Sequence, residues 1–241
     1  MEYILICIIG MVIGSFLNVC IYRIPKGESI VFPPSHCFHC QHKLAVWDLV
    51  PLISYVILKG RCKYCREKIA LQYPAVELLV GVLFMLNYHK YGFRLECIIY
   101  MFLICLLVVV SFIDINDMVI PNKFNIIIAV IGLVNLLLVR NITIFDSLGG
   151  ALVGGAMLLL IGKVGGYITQ KDAMGGGDLK LLAACGFYIG IKNTLLALML
   201  AFNYAAIIVL ILLFTKKLKR NQNIPFGPFI SAGVLSIILL F

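Results

Sequence analysis

Charge is scarce in this chain of 241 residues: 13% of residues are charged and 62% are hydrophobic. Soluble domains carry roughly 25% charged and 45–50% apolar residues. The imbalance excludes an ordinary soluble domain, and apolar runs of spanning length recur from one end to the other. Basic residues are absent ahead of the first run, where Glu2 precedes Tyr3, while Arg23 and Lys26 follow it. A cleaved secretory signal opens with a basic segment, so this run is read as a retained span. The chain also lacks internal repeats, low-complexity tracts and any linker that would separate soluble domains.

Runs of about 20 apolar residues place expected spans at 2–20, 72–88, 95–113, 122–139, 144–168, 179–191, 194–214 and 224–241. The expected fold is therefore all-α, a polytopic membrane protein of eight helices. An even count puts both termini on one side. With 21–70 cytoplasmic, sixteen Lys and Arg fall in inside segments and only Lys90, Arg94, Arg140 and Lys192 fall outside. That bias turns both termini away from the cytoplasm. It also accounts for most of the net charge of +9, with anionic lipid headgroups as the counter-surface and no nucleic acid required. The organisation read from this is a first span at 1–20, a cytoplasmic insert at 21–70 and a membrane core at 71–241. Gly10 with Gly14, and Gly150 with Gly154, form GxxxG pairs that predict close helix crossings.

The insert is too small to build an independent core without a staple. Four of the nine cysteines lie in it, as "CFHC" (Cys37, Cys40) and "CKYC" (Cys62, Cys65), with 21 residues between the pairs. Two such knuckles present four thiolates at the bite tetrahedral zinc requires. A cytoplasmic location weighs against disulfides. His36, His39 and His42 crowd the first knuckle, but four thiolates already close the site, so they are read as solvated neighbours. Cys7, Cys20, Cys97, Cys105 and Cys185 sit in or beside spans and are read as small apolar packing residues. Between the knuckles, the apolar stretch Leu49 to Leu58 is too short to span and is expected to lie at the interface, where Trp47 suits the boundary.

Acidic residues are few, and Glu77, Asp114 and Asp178 are the three that interrupt or abut apolar runs. An ionisable group at membrane depth is a functional hypothesis by default. Asp146 and Glu96 fall near outer loop ends, and Asp117 and Asp172 in expected cytoplasmic loops, where a solvated carboxylate is the simpler reading. Asp114 ends the third expected span and Asp178 opens the sixth, so both arrive on the cytoplasmic side. Two aspartates held close together share one proton, the ionised member activating water while the protonated one polarises a carbonyl. Ahead of Asp178 stand Gly175, Gly176 and Gly177. Residues without Cβ open backbone conformations closed to others and let a substrate strand come close. Asp178 is also placed to cap a helix beginning at Leu179, and Lys180 is assigned to substrate or lipid contact. From these residues alone, intramembrane proteolysis and cation transport stand about level.

Taken in order, "GSFLNVCIYRIP" (14 to 25), the two knuckles, "DLVPLISYVILKGRCKYC" (48 to 65), "YPAVELL" (73 to 79), "SFIDINDMVIPN" (111 to 122) and "GGGDLKLL" (175 to 182) together resemble one family. It is that of the bacterial type IV prepilin peptidases, bifunctional leader peptidases and N-methyltransferases of type IV pilus, competence and type II secretion systems. The resemblance implies a GxGD-type aspartic protease whose catalytic aspartates fall on Asp114 and Asp178, with Gly175 and Gly177 in the motif's two glycine positions. It implies prepilin and pseudopilin substrates, cleaved at the cytoplasmic face of the inner membrane after the leader's last glycine. It further implies methylation of the new N-terminus from S-adenosylmethionine. No soluble nucleotide-binding fingerprint is present, so the methyl-transfer expectation rests on the cysteine insert, which non-methylating relatives lack. Phe38 stands where many members have proline inside the first knuckle. The insert carries eight Lys or Arg against Glu28, Asp48 and Glu67; topology retention explains those charges, and engagement of an acidic residue early in the prepilin helix is the second reading. A homo-oligomer is compatible with the sequence and not required by it.

Overall fold

The computed structural model describes residues 1–139, 142–169, 174–216 and 224–240. Arg140, Lys171, Asp172, Lys217, Lys219 and Arg220, which entered the charge reading, lie outside the described residues. Among the described residues eight α-helices run in chain order: α1 (Glu2–Arg23), α2 (Ile53–Ile57), α3 (Gln72–Tyr91), α4 (Leu95–Asp117), α5 (Asn122–Leu138), α6 (Ile144–Thr169), α7 (Gly176–Phe214) and α8 (Gly227–Leu240). Among the described residues there is no strand, only two isolated antiparallel bridges in the insert. Among the described residues four helices, α1, α4, α6 and α7, are long and apolar enough to cross a membrane, and α5 and α8 are shorter apolar helices. The chain divides into two compact units, Met1–Cys97 and Ile98–Phe241.

In the first unit α1 packs on α3 through the expected glycines. A Cβ on Gly10 would stand 2.8 Å from Gly81 Cα, and one on Gly14 would stand 2.9 Å from Glu77 Cα. With so little hydrophobic drive between helices in lipid, this backbone approach supplies the dispersion contact that holds the pair. Hydrogen bonds pin both ends of the pair: Tyr88 donates to Glu2 Oε2 at 2.6 Å, and Asn18 Nδ2 donates to the Tyr73 carbonyl at 3.1 Å. Glu77 is buried and accepts the Leu52 backbone N–H at 2.9 Å. The carboxylate singled out at membrane depth thus ties the start of α2 to α3. Leu52 itself has φ +57, a left-handed backbone that this bond helps to hold.

The second unit is organised around α7, against which α5, α6 and α8 pack. Gly150 meets Gly186 backbone to backbone, and a Cβ on Gly154 would stand 2.9 Å from the Leu182 carbonyl oxygen, so the second GxxxG pair also marks a close crossing. Helix α7 is broken at Gly190, whose φ of +80 and ψ of 174 only glycine adopts readily. The break releases backbone groups that need partners outside the helix ladder. Asp146 Oδ1 accepts the Ile191 N–H at 3.0 Å, and Thr194 Oγ1 donates to the Gly190 carbonyl at 2.6 Å. Asp146 is therefore no solvated loop carboxylate; it caps the second half of α7.

Candidate active site

Helix α4 carries the apolar run ending in Ile113, and Asp114 follows in its last turn. Asp114 is 5% exposed, and its Oδ2 accepts the backbone N–H of Gly227 at 2.9 Å. Gly227 opens α8, so Asp114 receives one of the amides a helix start leaves unpaired and sits at the positive end of that helix dipole. A Cβ on Gly227 would stand 2.7 Å from Asp114 Oδ2 and 3.1 Å from Ile120 Cδ1. Glycine is the one residue that leaves this oxygen in place. Gly227 was not singled out from the sequence, because "FGPF" at the start of an apolar run looks like any helix start.

Asp178 lies in the first turn of α7 and is 9% exposed. Gly175, with φ −72 and ψ 140, is the N-cap; Asp178 is the third helical residue and donates its own N–H to the Gly175 carbonyl at 3.1 Å. The expected helix start at Leu179 with Asp178 as its cap is corrected by one turn. None of the three glycines has positive φ. Their value here is the missing Cβ. On Gly177 that atom would press on Ile120 Cβ at 3.0 Å, and on Gly175 it would stand 3.3 Å from Asp178 Oδ2, whereas Gly176 faces open space.

Ile120, in the turn between α4 and α5, thus packs beside both Gly177 and Gly227. Asp114 lies within electrostatic reach of Asp178. Asp178 Oδ1 is buried without a protein hydrogen-bond partner. One carboxylate oxygen is therefore anchored at Gly227 and another is left for a group the protein does not supply. Lys180, exposed on the next turn, donates to Asn122 Oδ1 at 3.0 Å.

The insert gathers Cys37, Cys40, Cys62 and Cys65 so that all four sulfurs lie within 4.8 Å of one another. The two knuckles repeat one local structure. Cys37 N–H donates to the His42 carbonyl and Gln41 N–H back to the Cys37 carbonyl; Cys62 does the same with Glu67 and Arg66. Gln41 (φ +56) and Arg66 (φ +61) take the left-handed turn that reverses each knuckle. Tetrahedral zinc with thiolates at about 2.3 Å separates its sulfurs by about 3.8 Å, and Cys37 Sγ lies 3.8 Å from Cys65 Sγ. The donor set fits the metal. The Cys40 backbone amide pulls the Cys37 thiol down to about 6. His36, His39 and His42 are not part of the cluster; His42 stacks on Tyr64 with ring centroids 3.6 Å apart. Asp48 draws the knuckles together, accepting from Tyr64 and from the Ala45 N–H, each at 3.1 Å. Trp47 is 83% exposed, with Ile53, Val56 and Ile57 also exposed near it in sequence.

These features define an all-helical membrane protein with a buried aspartate pair beside a glycine loop and a separate four-cysteine centre. Residues 8–91 match the model of the bacterial peptidase A24 N-terminal domain, and residues 101–240 match that of the type IV leader peptidase family. The prepilin leader peptidase/N-methyltransferase of Bacillus subtilis (strain 168) is 35% identical over 226 residues, covering 94% of this chain and 89% of the relative. That of Neisseria gonorrhoeae is 31% identical, covering 93% and 85%. The type 4 prepilin-like proteins leader peptide-processing enzyme of Escherichia coli O78:H11 is 34% identical, covering 96% and 91%. No solved structure gives a significant match. The chain belongs to the type IV leader peptidase family.

Proposed function

We propose that this chain removes the leader peptide of type IV prepilins and pseudopilins at the cytoplasmic face of the inner membrane, and then methylates the new N-terminal residue with S-adenosylmethionine. Its family and its bifunctional relatives favour this over cation transport or a non-catalytic role in pilus assembly. Asp114 and Asp178 are the catalytic pair. The observation that carries this is the unpartnered, buried Oδ1 of Asp178 within reach of an Asp114 carboxylate already anchored by Gly227.

A pair of this kind holds one proton between two carboxylates. The ionised member takes a proton from water as the water attacks the scissile carbonyl carbon, and the protonated member gives its proton to the carbonyl oxygen. Collapse of the tetrahedral adduct breaks the C–N bond, and the leaving amine takes up a proton. The protein's contribution is positional: Gly227 fixes one oxygen, and the glycine loop brings Asp178 to the other side of the reacting group. Gly175, Gly176 and Gly177, the first two exposed, let an extended substrate segment lie against the loop, and Lys180 makes a further substrate contact. Cys37, Cys40, Cys62 and Cys65 hold a structural zinc that staples the insert associated with methyl transfer. The remaining elements of the proposal are an eight-span topology with both termini outside and annular lipid contact. Self-association is an optional addition.

The test uses Asp114→Asn and Asp178→Asn proteins in detergent. Each loses cleavage of an intact prepilin while still methylating an already processed pilin. Cleavage by either variant at the wild-type rate contradicts the dyad assignment.

A further inference from the structure

A cavity of about 590 Å³ lies between α5 and α6 with α7 as its floor, within the roughly 300–1,000 Å³ usual for ligand sites. Its lining follows helical spacing on two elements, positions 122, 125, 126 and 129 on α5 and positions 180, 183, 184 and 187 on α7. The result is a trough about two turns long whose walls include Ala129, Ala151, Ala183 and Ala184. Small residues on three helices leave room for another helix to come in close. The mouth carries the Lys180 ammonium bonded to Asn122.

One side chain in the lining stands out. Asn125 is 7% exposed, yet both Nδ2 and Oδ1 are buried with no protein hydrogen-bond partner. A buried amide without partners is costly, and nothing in the cleavage chemistry above uses it. A donor and an acceptor side by side are the complement of a single peptide group, whose carbonyl accepts and whose N–H donates. A phosphate or carboxylate would occupy only Nδ2 and leave Oδ1 unpaired. A substrate cut at the membrane face, for its part, must be extended at the cut, and the backbone groups of its apolar side lose both helical partners and water once that side is seated in the trough.

We propose that this trough seats the apolar segment following the scissile bond, with Asn125 as a positioning residue that binds one unwound peptide group of the substrate; this rests on the leader-peptidase reading. Lys180 stands two positions after Asp178, which places them on different flanks of α7. The exposed Gly175 and Gly176 at the head of that helix form the saddle over which the extended segment passes from trough to carboxylates.

The test replaces Asn125 by leucine, which removes both polar groups while keeping the branched shape and number of heavy atoms. Thermal stability of the Asn125→Leu protein is unchanged or raised, while kcat/KM for an intact prepilin falls roughly tenfold to a hundredfold. Among prepilins carrying single amide-to-ester replacements after the cleavage site, one slows the wild type and leaves Asn125→Leu indifferent. A benzophenone side chain placed at Ala129 in the Asp178→Asn protein, reconstituted in lipid vesicles, forms an adduct with that same prepilin segment. Wild-type cleavage rates in Asn125→Leu, activity lost only in step with stability, or adducts with lipid alone would each overturn the assignment. A wild-type protein that cuts no cognate prepilin overturns the leader-peptidase reading instead, and the wild-type control in every assay separates the two failures.

Discussion

Gly227→Ala is the sharpest probe of how the Asp114 carboxylate is held. The added methyl would stand 2.7 Å from Asp114 Oδ2, closer than Cβ atoms are found to approach, and a tight 3.2 Å from its Cγ, so the carboxylate must move or α8 must shift. Either motion stretches the 2.9 Å bond from the Gly227 N–H. A hydrogen bond to a charged group is worth roughly 1.5–3 kcal/mol, and each 1.36 kcal/mol is a factor of ten in rate. The expected loss in kcat is therefore about tenfold to a hundredfold. Helix propensity works the other way, since alanine is better than glycine in a helix by up to about 1 kcal/mol, so α8 itself is not weakened. The assay is prepilin cleavage followed by gel or mass spectrometry, with thermal stability measured in parallel. A Gly227→Ala protein that cleaves at the wild-type rate would refute the anchoring role.

Three further outcomes follow from other parts of the molecule. Chelation of the insert's metal, or Cys62→Ser, abolishes methylation and exposes the insert to protease while most cleavage persists; because thiolate ligands must lose protons to bind, metal retention also falls as the pH is lowered, read by a zinc-sensitive dye, and equal loss of both activities contradicts the separation. Arg66→Gly relieves a left-handed backbone at φ +61 and raises insert stability by about 1 kcal/mol or slightly less, measured by hydrogen exchange of the knuckle amides; lower protection would show that the arginine side chain matters more than the turn. Asp146→Ala removes the cap on Ile191 at the Gly190 break and lowers the apparent Tm by an amount corresponding to about 1–2 kcal/mol, with cleavage at permissive temperature retained; an unchanged Tm would deny the cap its role.

Much of the architecture was legible because membranes enforce simple rules. Long apolar runs marked the helices, GxxxG pairs marked the crossings at Gly10 and Gly150, and two CxxC pairs marked the four-cysteine centre. Asp114 and Asp178 stood out because a carboxylate at the end of an apolar run is costly, and the structure buries both. What escaped depends on contacts between residues distant in sequence. Gly227 and Asp114 are 113 positions apart, and no local pattern announces their bond. Asp146 was misread for the same reason: its partner, the Ile191 amide, exists only because α7 breaks at Gly190. The glycine loop was read as giving backbone freedom and close approach to a substrate strand; the backbone there is ordinary, and space for Asp178 and Ile120 is what Gly175 and Gly177 supply. Asn125 carried no signal, since an asparagine near a helix start is commonplace until both of its polar groups prove to be buried.

The most direct measurement is intact-mass spectrometry of a cognate prepilin incubated in detergent with the purified protein and S-adenosylmethionine, with Asp114→Asn and Asp178→Asn proteins alongside. The account predicts that only the wild type releases the leader, and that the processed pilin then gains a single methyl group at its new N-terminus. Leader release by either aspartate variant, or an uncut prepilin with folded wild-type protein, would contradict it.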